Sequence, residues 1–244
     1  MEAAKYNVLI GCEESQAVCI EFRKLGFNAF SCDIQECSGG HPEWHIKADI
    51  EKVINGSFQE HGQFWTEDDM PNPTVKWHCG IFFPPCTHLA VSGAAWFEEK
   101  RKDGRQQEGI DFFYKIVNCG MERFAIENPV GIMSRKYRKP DQIIQPYYFG
   151  DEAQKTTCLW LNNLPRLKHY SRVDLFNTEI THTGKGEMMN YTEKKTGKLK
   201  TMAKWYNDAR SGNHGLNRSK TFPGIAKAMA TQWGEYLLQI NKCG

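Results

Sequence analysis

Asn7-Val8-Leu9-Ile10-Gly11 is an apolar run that closes on glycine and passes at once into Cys12-Glu13-Glu14-Ser15. A short run without polar alternation suits a strand buried on both faces, as in a parallel sheet. From Ser15 to Leu25 the spacing turns helical, with Val18, Phe22 and Leu25 on one side and Gly26 as the stop. Asn28-Ala29-Phe30-Ser31-Cys32 then reads as a second strand ending at Asp33. A loop rich in Gly, His and Pro (Ser38 to Trp44) leads to Ile46-Lys47-Ala48-Asp49, a third strand end, and residues from about 55 to 73 read as an irregular insertion. His78-Cys79-Gly80-Ile81-Phe82-Phe83 is the next strand, cut off by Pro84-Pro85. Gln107 to Asn118 is helical through Ile110, Phe113 and Val117, and Arg123-Phe124-Ala125-Ile126 is a strand ending at Glu127-Asn128-Pro129. This alternation predicts an α/β fold, a mostly parallel Rossmann-like sheet with helices on both faces.

Beyond Asn162 the chain becomes polar, basic and without clear periodicity until a last helix, Gly224 to Ile240, apolar at Ile225, Met229, Trp233 and Leu237. The expected organisation is therefore a core over residues 1–160, a small basic region over 161–217, and a helix over 218–244 that returns to the core. With 244 residues and 40% hydrophobic composition, one substantial core is affordable and global disorder is excluded. No stretch of eighteen apolar residues occurs and the first residues lack a signal-peptide layout, so a soluble cytoplasmic protein without a membrane partner is expected. The nine cysteines are scattered, odd in number and without a CxxC pair, which reads as free thiols. No metal site is expected, because His78, Cys79, Cys86 and His88 cluster without a usual zinc spacing.

Charge is unevenly spread. Residues 160–220 hold twelve Lys or Arg against five Asp or Glu in a chain of net charge +2, so the remainder is acidic. Such a region suggests a polyanionic partner; a solvated loop with unpaired lysines is the plainer reading.

Ligands of an open α/β sheet bind outside the carboxyl ends of its strands. There the sequence places Gly11 to Ser15, Asp33, Asp49, Pro84-Pro85-Cys86-Thr87 and Glu127-Asn128-Pro129. Asp33 suits ribose hydroxyls and Asp49 an exocyclic adenine amine, although either also suits a helix cap or turn. The loop after the first strand lacks GxGxxG, and Glu13 and Glu14 would repel a pyrophosphate while favouring a cationic sulfonium. Cys86 is either structural or a nucleophile held at a strand end by two prolines, and it would need help to ionise. Glu127, stiffened by Pro129, could keep its proton if desolvated and donate it to a ring nitrogen. A thiolate attacking a ring carbon beside an acid protonating the ring is what pyrimidine activation requires.

These residues resemble the DNA (cytosine-5) methyltransferases, in particular their short phage-encoded members. Phe83-Pro84-Pro85-Cys86-Thr87 is similar to the family's Pro-Cys nucleophile motif, and Ala125-Ile126-Glu127-Asn128-Pro129 to its Glu-Asn-Val motif. Gly109 to Phe113 resembles the helix after the catalytic loop, Tyr148 to Cys158 the Gln-x-Arg-x-Arg strand, and Gly224 to Trp233 the closing helix. The resemblance implies a Rossmann-like S-adenosylmethionine-dependent methyltransferase sheet with a small basic target-recognition lobe. It implies methyl transfer to C5 of cytosine in double-stranded DNA through a Cys86–C6 adduct, with Glu127 as the acid. S-adenosyl-L-methionine would meet Gly11, Cys12, Glu13, Ser15, Asp33, Ile34, Asp49, Ile50 and Pro84. Substrate would meet Thr87, Asn128, Gln154 and Thr156 at the base, and Arg101, Arg105, Lys194 and Lys195 at phosphates.

The chain departs from that pattern in three places. The first glycine loop lacks the Phe-x-Gly-x-Gly form, the two arginines stand as Thr156 and Cys158, and the recognition segment is only about 55 residues long. Those departures keep open C5 modification of a free pyrimidine nucleotide or RNA, and a catalytically silent DNA-binding relative.

Overall fold

Val8 and Ile10 point to one face of the first strand and Leu9 to the other, and each side is sealed by its own layer of helices. The computed structural model describes residues 3–55, 57–58, 64–65, 76–169, 172–173, 179–180, 183–193, 196–208 and 220–240. In chain order the elements run β1 (Asn7–Gly11), α1 (Ala17–Lys24), β2 (Asn28–Asp33), β3 (His45–Lys47) and α2 (Ile50–Asn55). A small pair, β4 (Ser57–Phe58) and β5 (Phe64–Trp65), precedes β6 (Cys79–Phe82), α3 (Phe97–Lys102), α4 (Arg105–Val117) and β7 (Phe124–Pro129). There follow α5 (Met133–Lys136), β8 (Gln142–Ile144), β9 (Thr157–Asn162), and two antiparallel pairs, β10 (Arg172–Val173) with β11 (Glu179–Ile180) and β12 (Met188–Thr192) with β13 (Leu199–Ala203). The short helix α6 (Lys204–Asp208) comes next. A C-terminal helical run closes the described chain: Pro223–Ala228, a π turn at Met229–Trp233, then Gly234–Ile240.

The central sheet has seven strands in the order β3-β2-β1-β6-β7-β9-β8. β1, β2, β3, β6 and β7 are mutually parallel, and β9 runs antiparallel to both β7 and β8. The crossover between β1 and β6 is the switch point where an open sheet presents its ligand crevice. An antiparallel strand inserted next to β7 separates this sheet from the all-parallel dinucleotide order, in keeping with the missing GxGxxG.

On one face Val8 and Ile10 pack with Phe22 of α1 and with Met229 and Trp233 of the C-terminal run. On the other, Leu9 packs with Ile50 and Val53 of α2 and with Phe113 and Ile116 of α4. Burying a side chain such as Phe113 contributes about 1.5–3 kcal/mol, so the two layers together anchor the sheet that carries the strand ends. The C-terminal run is also tied to the connection after β9, where Trp233 Nε1 donates to Pro165 O and Gln232 Nε2 to Lys168 O, both at 2.9 Å.

The strands and helices expected before Asn162 appear within a few residues of their sequence positions. After it, strands form where the sequence shows no periodicity. The reason is visible in β12, whose residues alternate between exposed and half-buried rather than between exposed and buried. A ribbon that never enters the core carries no apolar alternation to read. Much of the 55–73 insertion lies outside the described residues. No helix among the described residues is long and apolar enough to cross a membrane.

Candidate active site

Gly11 ends β1 where a Cβ would fall 2.5 Å from Phe82 Cδ1 and 2.7 Å from Ile50 Cδ1, so the glycine is needed for β6 and α2 to close beneath it. The chain then turns sharply. Cys12 and Gln16 both hold positive φ, 59° and 58°, a conformation that costs roughly 1–2 kcal/mol each for an L residue other than glycine. Two sets of bonds hold this loop. Glu13 N donates to Cys32 O at 3.1 Å, and the Gln16 side chain donates to His41 O and accepts from His41 N at 2.8 and 3.0 Å. Strain retained by that much bonding is characteristic of a functional loop.

Glu13 itself is buried, and its carboxylate accepts the backbone N–H groups of Val18 (2.7 Å) and Cys19 (3.3 Å) at the start of α1. Burial pushes it up to about 8, against the two N–H donors. Burial likewise pushes the Cys12 thiol well above its ordinary range.

The ends of β6 and β7 meet next to this loop. Asn128 is 1% exposed and donates from Nδ2 to Pro84 O at 2.9 Å, locking the two strand ends together. Phe83 N donates to Gly11 O at 2.9 Å, joining the proline turn to the β1 loop as well. Beyond the prolines a tight turn forms, in which Leu89 N and Ala90 N both donate to Cys86 O. Lys100, buried on α3, reaches back with Nζ to Thr87 O at 2.6 Å. The segment after β7 clamps the far end: Val91 N donates to Val130 O and Ile132 N to Leu89 O, both at 2.9 Å.

These strand ends enclose a cleft of about 570 Å³, inside the size range of small-molecule sites. Its lining includes Cys12, Glu13, Ser15 and Asp33 on one side, and Pro84, Cys86, Thr87 and Glu127 on the other. Burial raises the Glu127 carboxyl above the ordinary glutamate range; the Lys155 ammonium and a hydrogen bond with Thr157 oppose this. Burial also raises the Cys86 thiol, the neighbouring Glu127 carboxylate adds to the rise, and Lys155 counters it. A half-buried thiol and a half-buried carboxyl thus share one electrostatic environment with one cation.

Lys155 and Thr157 are among the residues that sequence reasoning missed. β9 pairs with β7 so that Thr157 lies opposite Pro129, and Lys155, two residues earlier, reaches the cleft. Lys155 is half-buried and forms no ion pair among the described residues. Residues two apart share a face, so the residues turned toward Glu127 are Lys155 and Thr157. Thr156 is exposed and accepts instead from Gln145 Nε2 at 2.6 Å. Gln154 donates to Met188 Sδ at 3.4 Å and is not part of the lining. Ser92, Tyr206, Lys220 and Thr221 complete the wall.

Other expected residues fall around the cleft. Ile34 is 72% exposed next to Asp33. Asp33 Oδ1 accepts from Gln35 N at 2.9 Å, and Asp49 Oδ1 accepts from Glu51 N at 2.9 Å, so Asp49 serves as the cap of α2. Ile50 is buried in the core below Gly11, and its side chain does not line the cleft. Arg101 is exposed on α3. Arg105 is held in ion pairs with Glu99 and Asp103, away from the lining. Lys194 and Lys195 lie outside the described residues. His78 Nδ1 accepts from Asn7 N at 2.9 Å, and no group of three or more His, Cys, Asp or Glu suited to a metal occurs among the described residues.

No protein-family model matches this chain, and no curated protein matches it either. The fold and the cleft therefore carry the functional argument by themselves.

Proposed function

We propose that the chain is an S-adenosylmethionine-dependent methyltransferase acting on C5 of cytosine in DNA. The observation that carries this reading is the junction of Cys86 and Glu127 in one cleft with the β1 loop and Asp33. The donor set fits the cofactor. Asp33 supplies an acceptor for ribose hydroxyls at the end of β2, Ile34 and Pro84 supply apolar surface for an adenine, and Glu14 puts an acidic group beside the place a sulfonium would take, while the Glu13 carboxyl is turned to the start of α1. S-adenosylmethionine held there would supply the electrophilic methyl group.

The remaining chemistry belongs to the chain. Extruding the base from a duplex costs a few kcal/mol and brings its ring into the cleft. The Cys86 thiolate adds to C6, forming the S–C6 bond, while Glu127 gives its proton to N3, so the electron pair of the C5–C6 bond becomes available at C5. A carboxyl whose burial favours the protonated form is suited to that donation. Lys155 lines the cleft and favours the thiolate, and its ammonium would meet the base's carbonyl oxygen. After C5 is alkylated, a water molecule takes the C5 proton, the electron pair of that C–H bond re-forms the C5–C6 double bond and expels the Cys86 thiolate, and the N3 proton returns to Glu127.

The test is incubation of purified protein with unmodified duplex DNA and labelled S-adenosylmethionine, followed by mass spectrometry of the nucleosides. The expected product is 5-methyldeoxycytidine from wild type and none from Cys86→Ala, with cofactor affinity retained in the variant. Transfer by Cys86→Ala at the wild-type rate would exclude the covalent route. Label in RNA or in a free nucleotide, and not in DNA, would overturn the choice of substrate.

A further inference from the structure

The β12–β13 hairpin presents a face whose composition is unusual for a solvated surface. Its register is Met188 opposite Ala203, Asn190 opposite Thr201 and Thr192 opposite Leu199, and directly opposed residues share a face. Met188, Asn190, Thr192, Leu199 and Thr201 are all exposed, Leu199 by 71%, and none of them is charged. The side chains of Asn190, Thr192 and Thr201 make no hydrogen bond among the described residues. Charge lies elsewhere on the element: Lys200 pairs with Glu193, Lys204 with Glu187, and Lys198 is exposed between the strands.

The root of the hairpin is fixed to the cleft wall. Gly186 lies so close to Glu152 that a Cβ would fall 2.1 Å from Glu152 O. Trp205 Nε1 donates to Gln154 O at 3.1 Å, next to Lys155, and Tyr206 lines the cleft itself. Whatever occupies the cleft lies beside this ribbon.

We propose that this face enters the major groove of duplex DNA and that Asn190 and Thr201 read an A·T pair at a fixed distance from the modified cytosine. The inference rests on the DNA reading above and adds the recognition surface to it. A two-stranded ribbon fits a major groove about 12 Å wide. An asparagine amide matches adenine N6 and N7 with one donor and one acceptor, and threonine and leucine methyl groups match the thymine methyl. Lys198 borders the face at the hairpin turn rather than occupying it, and Lys200 and Lys204 are held by Glu193 and Glu187. That arrangement suits a phosphate at the rim of a groove whose base edges are met by uncharged side chains.

Two readouts separate this proposal from the proposed reaction. Selection of a random duplex pool on the full-length protein reports recognition without turnover, and sequencing of C5-methylated products reports the flanks of modified sites. Wild type should enrich an A·T pair at one offset in both. Asn190→Ala and Thr201→Val should lower that enrichment about tenfold or more and leave the melting temperature unchanged. Enrichment in the selection that Asn190→Ala removes would support the ribbon even if no methyl transfer occurs, and the reaction alone would then fall. Methylation with no fixed A·T flank, or with flanks unchanged in both variants, would overturn the ribbon and leave the reaction standing. Absence of duplex binding by wild type would overturn it as well.

Discussion

Lys155 acts on two neighbours at once, and its effect on each has a known sign. A cation favours the ionised form of both a thiol and a carboxyl, so it lowers the Cys86 pKa against burial and the Glu127 carboxylate, and it lowers Glu127 against burial. Lys155→Met removes that support and leaves the desolvation in place. Alkylation of Cys86 by iodoacetamide, followed by pH with mass spectrometry to locate the adduct, should rise only at higher pH in the variant than in wild type. If the two alkylation profiles superimpose, Lys155 has no hold on the Cys86 thiol. The measurement needs no substrate, so it tests the site whichever base is modified. The sequence contains the lysine but not its importance. A charge two residues ahead of a strand becomes a site residue only when β9 pairs antiparallel with β7 in one register, and a shift of one residue would have turned Thr156 inward instead.

The turn that carries Cys86 is held as an element, from behind, by the turn that follows β7. Asn128 bonds to Pro84 O, and backbone bonds join Leu89 to Ile132 and Val91 to Val130. Asn128→Ala would leave the Pro84 carbonyl buried without its partner, a loss of about 1–3 kcal/mol, read as a lower urea midpoint with an unchanged slope. The same variant should lower the rate of the proposed methyl transfer, because the proline turn is no longer fixed against β7. An unchanged midpoint would mean that water replaces the amide without cost and that the clamp is not structural. Elements like these were legible to different degrees. Parallel strands buried on both faces read as apolar runs, so β1, β2, β6 and β7, together with their polar ends, followed from the sequence. Lys100 gave no signal, because its role depends on a bond to Thr87 O thirteen residues away. The hairpin had one local clue, Thr196-Gly197 with Gly197 at φ 66°, which marks a turn between two polar strands.

At the scale of the molecule, charge and topology point the same way. Every strand end with chemistry lies on one edge of the sheet, and the basic part of the sequence supplies Lys220 to the cleft and Lys198 to the adjoining ribbon. The rest of the chain carries net negative charge, so a polyanion has one edge to approach. Not every lysine there is equally available. Lys200 and Lys204 are engaged by Glu193 and Glu187, and a phosphate would have to displace those carboxylates. Lys198 is exposed and forms no ion pair among the described residues. Duplex binding should therefore weaken steeply with salt, and Lys198→Gln should reduce the slope of log affinity against log salt by about 1. It should do so equally for all sequences, whereas Asn190→Ala should change sequence preference and leave the slope alone. Opposite effects from two positions on one hairpin would assign phosphate contact to its flank and base contact to its face. A slope unchanged by Lys198→Gln would move the phosphate path off the ribbon, toward Lys220 and the cleft mouth.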